Sequence, residues 1–207
     1  GNGLTLEGVK TIVEHCKAGA ASGLVTLSVG ANRLCDAGAA MLCEALAAPG
    51  VAPMLERLCL ASNRISGAGL AAIIPSVSRM AALRKLDLGY LKMTAAIGEK
   101  PNSIATPAEG MVALRAWLRT NPPLRVLDVS RTGLSPQDLE ALAADLASTN
   151  TNLAQLKCVQ RGGGAVPAIE AVMQRNREGL GAEGREEAEM VDTPAHIRDI
   201  LSVYRTA

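Results

Sequence analysis

The chain has 207 residues, with 21 Lys and Arg against 20 Asp and Glu. This balance gives no reason to expect binding to nucleic acid or to an anionic membrane surface. Phe is absent and there are only two Tyr and one Trp, so Leu and Ala must supply most of the core that a chain of this length can bury. A core built from so few side-chain sizes indicates a regular, repeated packing arrangement.

The N-terminus and the cysteines bear on where the protein works. The opening GNGLTLEGVK lacks the basic and apolar regions of a signal peptide, and no apolar run approaches the roughly 18 residues that span a bilayer. The five cysteines are an odd number without C-x-x-C spacing, which is typical of reduced thiols. We therefore predict a cytoplasmic or nuclear protein, an argument that weakens if the chain is a fragment.

The chain opens with the second half of a repeating unit. Asn2, Leu4 and Gly8 are followed by an apolar helical stripe, but no strand pattern precedes them. We predict that the chain begins inside a repeat. The alternative is that this helix caps the end of a repeat array.

Five L-x-x-L-x-L units follow. Their first leucines are Leu24, Leu55, Leu83, Leu124 and Leu153, at spacings of 31, 28, 41 and 29 residues. Helical patterns follow these units, and Ser135, Pro136 and Asp138 have the residue types of a capped helix start. A period of this length predicts stacked strand–turn–helix units.

Two further columns recur within the units. The position after each strand reads Asn2, Asn32, Asn63, Leu91, Thr132 and Arg161. A ladder of amide hydrogen bonds should therefore run through the first half of the chain and stop at the insertion. A glycine in the first turn of four helices should let each helix approach the strand layer: Gly8, Gly38, Gly69 and Gly110. Pro75 should end or kink its helix near Ile74.

The 41-residue spacing contains an insertion. Its glycine and prolines predict a loop at residues 94–107. A tolerated surface loop is the simpler interpretation, because long loops cost little closure entropy. Insertions in solenoids also serve as binding appendages.

The C-terminal part departs from the repeats. Residues 177–192 are acidic, rich in glycine and poor in large apolar residues, which predicts a flexible acidic linker. Residues 193–207 predict a short amphipathic helix with Ile197, Ile200, Leu201 and Tyr204 on one face. This helix either covers the last repeat, which we favour, or docks in a groove of another protein.

The pattern L-x-x-L-x-L-x-x-N-x-L-x-x-x-G-x-x-x-L resembles the leucine-rich repeats of the ribonuclease-inhibitor class, which includes ribonuclease inhibitor, tropomodulin and the Ran GTPase-activating protein. The resemblance covers residues 1–176 as one repeat domain of about five to six units. It implies an α/β solenoid with a curved parallel sheet on its concave side and helices on its convex side. It implies little about function, because proteins of this class bind many unrelated partners.

Candidate chemistry is sparse. His15 and His196 lie on different predicted helices and have no partner at ligand spacing. Cys59 faces outward from its strand, which leaves a reactive thiol as an alternative, but no basic neighbour is certain to lower its pKa. The glycines after Arg161 lack the Lys and Ser or Thr of a phosphate-binding loop. We predict no catalytic residues, no cofactor and no metal.

The concave face is the better candidate for a site. Side chains alternate along a strand, so the residues between the buried leucines face the solvent, where a basic pair and an acidic pair should lie on neighbouring strands. We predict that the partner-binding residues are Arg57, Cys59, Lys85, Asp87, Tyr90, Asp128, Arg131 and Lys157. The alternative is that an exposed sheet face is simply polar, although adjacent like charges cost stability and Tyr and Arg tend to anchor interfaces.

We therefore expect a non-catalytic scaffold that binds another protein, and no nucleic acid, membrane or small-molecule substrate. One alternative is a GTPase activator resembling the Ran GTPase-activating protein. The other is a structural subunit of a cytoskeletal or other large assembly.

Overall fold

The strands of a computed structural model form one parallel sheet. The structure describes residues 3–91, 96, 98–160, 166–192 and 200–202. Its strands are β1 Thr26–Ser28, β2 Arg57–Cys59, β3 Lys85–Asp87, β4 Val126–Asp128, β5 Gln155–Lys157 and β6 Ile200–Ser202. They lie in the order β5-β4-β3-β2-β1-β6, so five successive repeats stack in sequence order.

A helix follows each of the first five strands and packs on the other side of the core. The helices are α1 Leu6–His15, α2 Cys35–Leu46, α3 Gly67–Val77, α4 Glu109–Arg119, α5 Pro136–Thr149, α6 Pro167–Gly179 and α7 Gly181–Asp192, with a π-helical turn at Cys16–Ala20 after α1. Ser135 caps α5 in a capping box with Asp138, as the sequence predicts. The predicted α/β solenoid, with its sheet on the concave side and helices on the convex side, is confirmed.

The core is built from columns of identical positions. Leu27, Leu58, Leu86 and Leu127 are register partners on adjacent strands, and each is at most 1% exposed. Burying one such side chain stabilises the fold by about 1.5–3 kcal/mol. No single repeat can bury its own leucines, so the stacking of neighbours is what makes each unit stable.

Asparagine side chains join the repeats behind the ends of the strands. The Asn63 side chain donates to the carbonyls of Val29, Leu60 and Ala61. The Asn102 side chain donates to Leu60 and Leu88 and accepts from the backbone of Asn63. These bonds satisfy carbonyls that the turns would otherwise leave unpaired.

The ladder extends further than predicted. Asn102, not Leu91, supplies its third step, because the extra residues lie between Leu88 and Asn102, which are 14 positions apart, whereas Leu60 and Asn63 are 3 apart. Thr132 continues the ladder by donating to Val129, and Gln160, rather than Arg161, ends it with bonds to Val129 and Cys158. Arg161 lies outside the described residues.

The insertion therefore differs from the predicted loop at 94–107. Asn102 and Ile104 belong to the repeat itself, with Ile104 fully buried. The Ser103 amide donates to the Ile65 carbonyl at 2.8 Å. The extra residues precede this step of the ladder in the sequence rather than follow it, and residues 94, 95 and 97 of the predicted loop lie outside the described residues.

The first-turn glycines of α3 and α4 serve contacts between helices rather than contacts with the strand layer. A Cβ at Gly69 would overlap the Asp36 carboxylate, and one at Gly110 would lie 2.5 Å from the Gly67 carbonyl oxygen. Asp36 uses this closeness to accept hydrogen bonds from the backbone and hydroxyl of Ser66, the N-cap of α3. At these two glycines, the helix approaches the neighbouring helix and not the strand layer that the sequence predicted.

Two other details differ from the sequence prediction. α3 continues through Pro75 to Val77, so the proline, which removes one backbone hydrogen bond, does not end the helix near Ile74. Cys16 and Cys158 occupy leucine positions of the repeat, which predicts that both are buried. Cys16 is buried, but Cys158 is half-buried.

The C-terminal part also differs. The predicted linker at 177–192 contains α7, so an acidic composition did not prevent helix formation. Ile200–Ser202 form a strand beside β1 rather than part of a helix, at the opposite edge of the sheet from the last repeat. The remainder of the predicted helix at 193–207, with Ile197 and Tyr204, lies outside the described residues.

Candidate functional site

Eight predicted residues lie on or beside the open face of the sheet, and we call them the concave strip: Arg57, Cys59, Lys85, Asp87, Tyr90, Asp128, Arg131 and Lys157. The register places Arg57 beside Lys85 and Asp87 beside Asp128. Lys157 pairs in register with Asp128. The strands thus bring together the basic and acidic pairs that the sequence predicts, while the role of these residues in binding stays a prediction.

The two aspartates are held by the backbone that follows them. Asp87 Oδ1 accepts from the Gly89 amide at 2.9 Å, and Asp128 Oδ1 accepts from the Ser130 amide at 2.8 Å. A Cβ at Gly89 would lie 2.5 Å from Asp128 Oδ1, so only glycine lets the two carboxylates share this space. Burial raises the pKa of Asp87, the negative charge of Asp128 raises it further, and hydrogen bonds offset only part of this. The positive charge of Lys85 lowers the pKa as well, so the pair is a concentration of negative charge that the chain relieves only in part.

Cys59 lies next to this acidic pair. Its thiol is 3.5 Å from Asp87 Oδ2, and burial together with the Asp87 charge raises its pKa to about 12. Because the thiolate is the reactive form, the structure gives no support to the alternative that Cys59 is a reactive thiol.

Tyr90 and Arg131 form a contact at the end of the strip. The Arg131 guanidinium lies 5.2 Å from the centre of the Tyr90 ring, within the range of a cation–π interaction. The Arg131 amide donates to the carbonyl of Val159, an apolar residue that is 63% exposed. The sequence reasoning missed Val159, which lies two residues after β5, where Ser130 lies after β4.

The insertion is fastened to the first two repeats at the same end of the strands. Glu99 accepts from Arg33 Nε at 2.6 Å and from Arg64 at 2.9 Å, and we call these three residues the insertion latch. Burial raises the pKa of Glu99, but the hydrogen bonds and charges of the two arginines outweigh it, so the pKa is lowered. Leu91 donates its amide to Ser62 and lies against Gly30, where a Cβ would be 2.6 Å from its side chain.

A second group of charges lies at the other end of the strands. Arg84 and Arg125, directly before β3 and β4, both contact Glu187 of α7 at 2.7 Å. The sequence reasoning missed this group because α7 was read as a linker. The repeated arginine before two strands was the only signal for it.

Other chemistry is limited. The His15 ring contacts the Thr11 carbonyl at 2.8 Å and is exposed, while His196 lies outside the described residues. Across the described ranges, no cluster of three or more His, Cys, Asp or Glu side chains is suited to a metal ion. None of the helices in that part of the chain has the length and apolarity to cross a bilayer.

Comparisons with known proteins agree with this architecture. A family model described as "Leucine Rich repeat" matches residues 51–73 and 120–143. A solved structure titled "Leiomodin-1 Actin-Binding Site 2 (ABS2)" aligns with a TM-score of 0.63 and 15% sequence identity, covering 86% of this chain and 94% of that one. At this identity the likeness shows the fold. No curated protein matches the sequence significantly.

Proposed function

We propose that this leucine-rich repeat protein is a non-catalytic scaffold that binds another protein through the concave strip. We also place it in the ribonuclease-inhibitor class, because the spacings of 28 and 29 residues each accommodate a strand and a full α-helix. We propose a reducing location, cytoplasm or nucleus, because all five cysteines are unpaired.

The observation that carries the proposal is the acidic pair on the open face of the sheet. Asp87 and Asp128 are register partners on adjacent strands, and like charges so placed destabilise a sheet. A cationic group of a partner would relieve this repulsion. Tyr90 and Arg131, of residue types common in interface hot spots, lie beside the pair and supply an aromatic anchor.

The test compares two variants of equal charge change. In the strip variant, Lys85→Gln, Asp87→Asn, Asp128→Asn and Arg131→Gln are combined. In the control, Lys10→Gln, Glu44→Gln, Arg119→Gln and Glu140→Gln remove two bases and two acids from exposed positions on helices. Proteins captured from a lysate by the unmodified chain are identified by mass spectrometry, and the affinity of each purified candidate is measured.

We expect the strip variant to lose the partner while its circular-dichroism melt stays close to that of the unmodified chain. The control should keep full affinity. Binding that survives in the strip variant and fails in the control would move the site to the helices.

A structural role in a cytoskeletal assembly is the second candidate. It is favoured by the likeness to the segment titled an actin-binding site, although that name describes leiomodin-1. Co-sedimentation with actin filaments tests it directly. GTPase activation stays the third prediction, and acceleration of GTP hydrolysis by small GTPases would support it.

A further inference from the structure

Two arginines converge on one carboxylate at the edge of the sheet where β3 and β4 begin. Arg84 Nε donates to Glu187 Oε1 and Arg125 Nε donates to Oε2, each at 2.7 Å. Neighbouring strands of a sheet are about 4.8 Å apart, so the two guanidinium groups are spaced to take one oxygen each. Charge-assisted pairs of this kind are the stronger class of hydrogen bond.

The repeats, rather than α7, hold the two arginines in place. Arg84 Nη1 donates to the carbonyls of Ala81 and Leu83. Arg125 Nη1 donates to the carbonyl of Asn152 at 3.2 Å. The Arg125 side chain is only 16% exposed even though it carries a charge. Both guanidinium groups therefore have hydrogen-bond partners in the repeats that do not depend on Glu187.

α7 itself is weakly held. It starts at Gly181, whose φ of +68° marks the break from α6, and Gly184 inside it lowers its intrinsic helix stability. Ala182 is exposed and Ala188 is half-buried, so these side chains bury little apolar area. Among the described side chains of α7, Glu187 makes the ion pairs that join this helix to the start of β3 and β4. Arg84 directly precedes the strip residue Lys85.

We propose that the Arg84–Arg125 pair is a carboxylate-binding site for an acidic segment of a partner protein, and that α7 occupies it within the same chain until the partner displaces it. This rests on the proposed function and adds the chemistry of one part of the partner: a glutamate or aspartate presented on an acidic, helical or extended segment. Such a segment would continue from the concave strip over the edge where β3 and β4 begin.

The experiment uses the full chain and a synthetic peptide of residues 178–192, together with the same peptide carrying Gln at position 187. Binding is measured by isothermal titration calorimetry for every protein, and the NMR Nε–Hε signals of Arg84 and Arg125 report on their hydrogen bonds in the proteins that keep both arginines. The proteins are the unmodified chain, Glu187→Gln, and Glu187→Gln combined with Arg84→Lys and Arg125→Lys. The lysines keep both positive charges but lose the paired Nε donors.

We expect Glu187→Gln to shift the Nε–Hε signals of both arginines, because they lose their carboxylate partner, and to increase hydrogen exchange in α7. The peptide should then bind Glu187→Gln at least about ten-fold more tightly than the unmodified chain, in which α7 competes at high effective concentration. The Gln peptide and the double-lysine variant should each weaken binding.

Unchanged exchange in α7, or equal binding of both peptides, would overturn the inference. The strip variant described above separates the two proposals. If it keeps the peptide but loses the partner, the carboxylate site and the concave strip are both supported. If it keeps both, the concave strip is wrong while the carboxylate site stands.

Discussion

Asp87 and Glu99 are both carboxylates that folding removes from water, yet the two regions that hold them treat the charge in opposite ways. In the insertion latch, two arginines meet Glu99 and lower its pKa. In the concave strip, Asp87 faces another aspartate and its pKa is raised. The first arrangement fixes a loop and is complete within the chain. The second leaves negative charge only partly relieved on the open face of the sheet, which is the difference expected between an architectural group and the binding surface proposed above.

Asn102→Ala should have the largest effect, because it removes the step of the ladder that ties the insertion to the repeats. The side chain is 1% exposed, donates to Leu60 and Leu88, and accepts from Asn63 and Ile65. Leaving such groups unpaired should cost about 3 kcal/mol of unfolding free energy. Urea denaturation measures this, with Gln174→Ala, an exposed amide, as the control that should change little. Equal losses in both variants would contradict the role given to the ladder.

Glu99→Gln should open the insertion latch without affecting the strip. We expect a loss of about 1 kcal/mol at neutral pH, reduced by solvent screening because Arg33 and Arg64 are 48% and 32% exposed. Because the folded pKa of Glu99 is lowered, the ionised side chain stabilises the fold at pH values above its unfolded pKa, near 4.5. This stabilisation is lost as the pH falls through the folded pKa.

Thermal melts of Glu99→Gln across the pH range check the direction of this pH dependence. The difference in stability between the variant and the unmodified chain should be largest at neutral pH and should shrink in acid. Glu109→Gln, at an exposed position, is the control. A difference that grows in acid would show that Glu99 is not held by the arginines.

Asp87→Asn should act in the opposite direction and stabilise the fold by about 0.5 kcal/mol at neutral pH, because it removes one of two like charges on adjacent strands. The amide oxygen can still accept from Gly89. A raised pKa means that ionised Asp87 costs stability above its folded pKa, and that this cost disappears as the pH falls below the unfolded value of 3.8. Thermal melts of both proteins at several pH values measure this difference. A variant less stable than the unmodified chain at pH 7 would contradict the comparison.

Asp128→Asn should have the smallest effect, and it isolates the cause of the Asp87 shift. Removing the charge of Asp128 should lower the pKa of Asp87 toward its ordinary value, while burial keeps part of the shift. An NMR titration of the Asp87 carboxyl carbon measures this. An unchanged titration midpoint would mean that burial alone raises the pKa and that the acidic pair is not a unit.

Regular repetition made much of the fold predictable. The leucine columns and the side-chain alternation fixed the strands, their register and the neighbours in the concave strip. Asn102 was missed because the insertion moved it away from its strand, so a pattern of fixed spacing selected Leu91. α7 was missed because its contact with Arg84 joins residues 103 positions apart, and local composition carries no information about such a contact.

The placement of Asn102 after the extra residues has a consequence for protein engineering. The chain is anchored at Leu91 by Ser62 and again at Glu99 by the latch, and the repeat resumes at Asn102. A peptide grafted between these two anchors would need no change in the solenoid, since lengthening a loop adds little closure entropy. It would be displayed at the end of the strands beside the concave strip, where a tag or a second recognition element could be added to the binding surface.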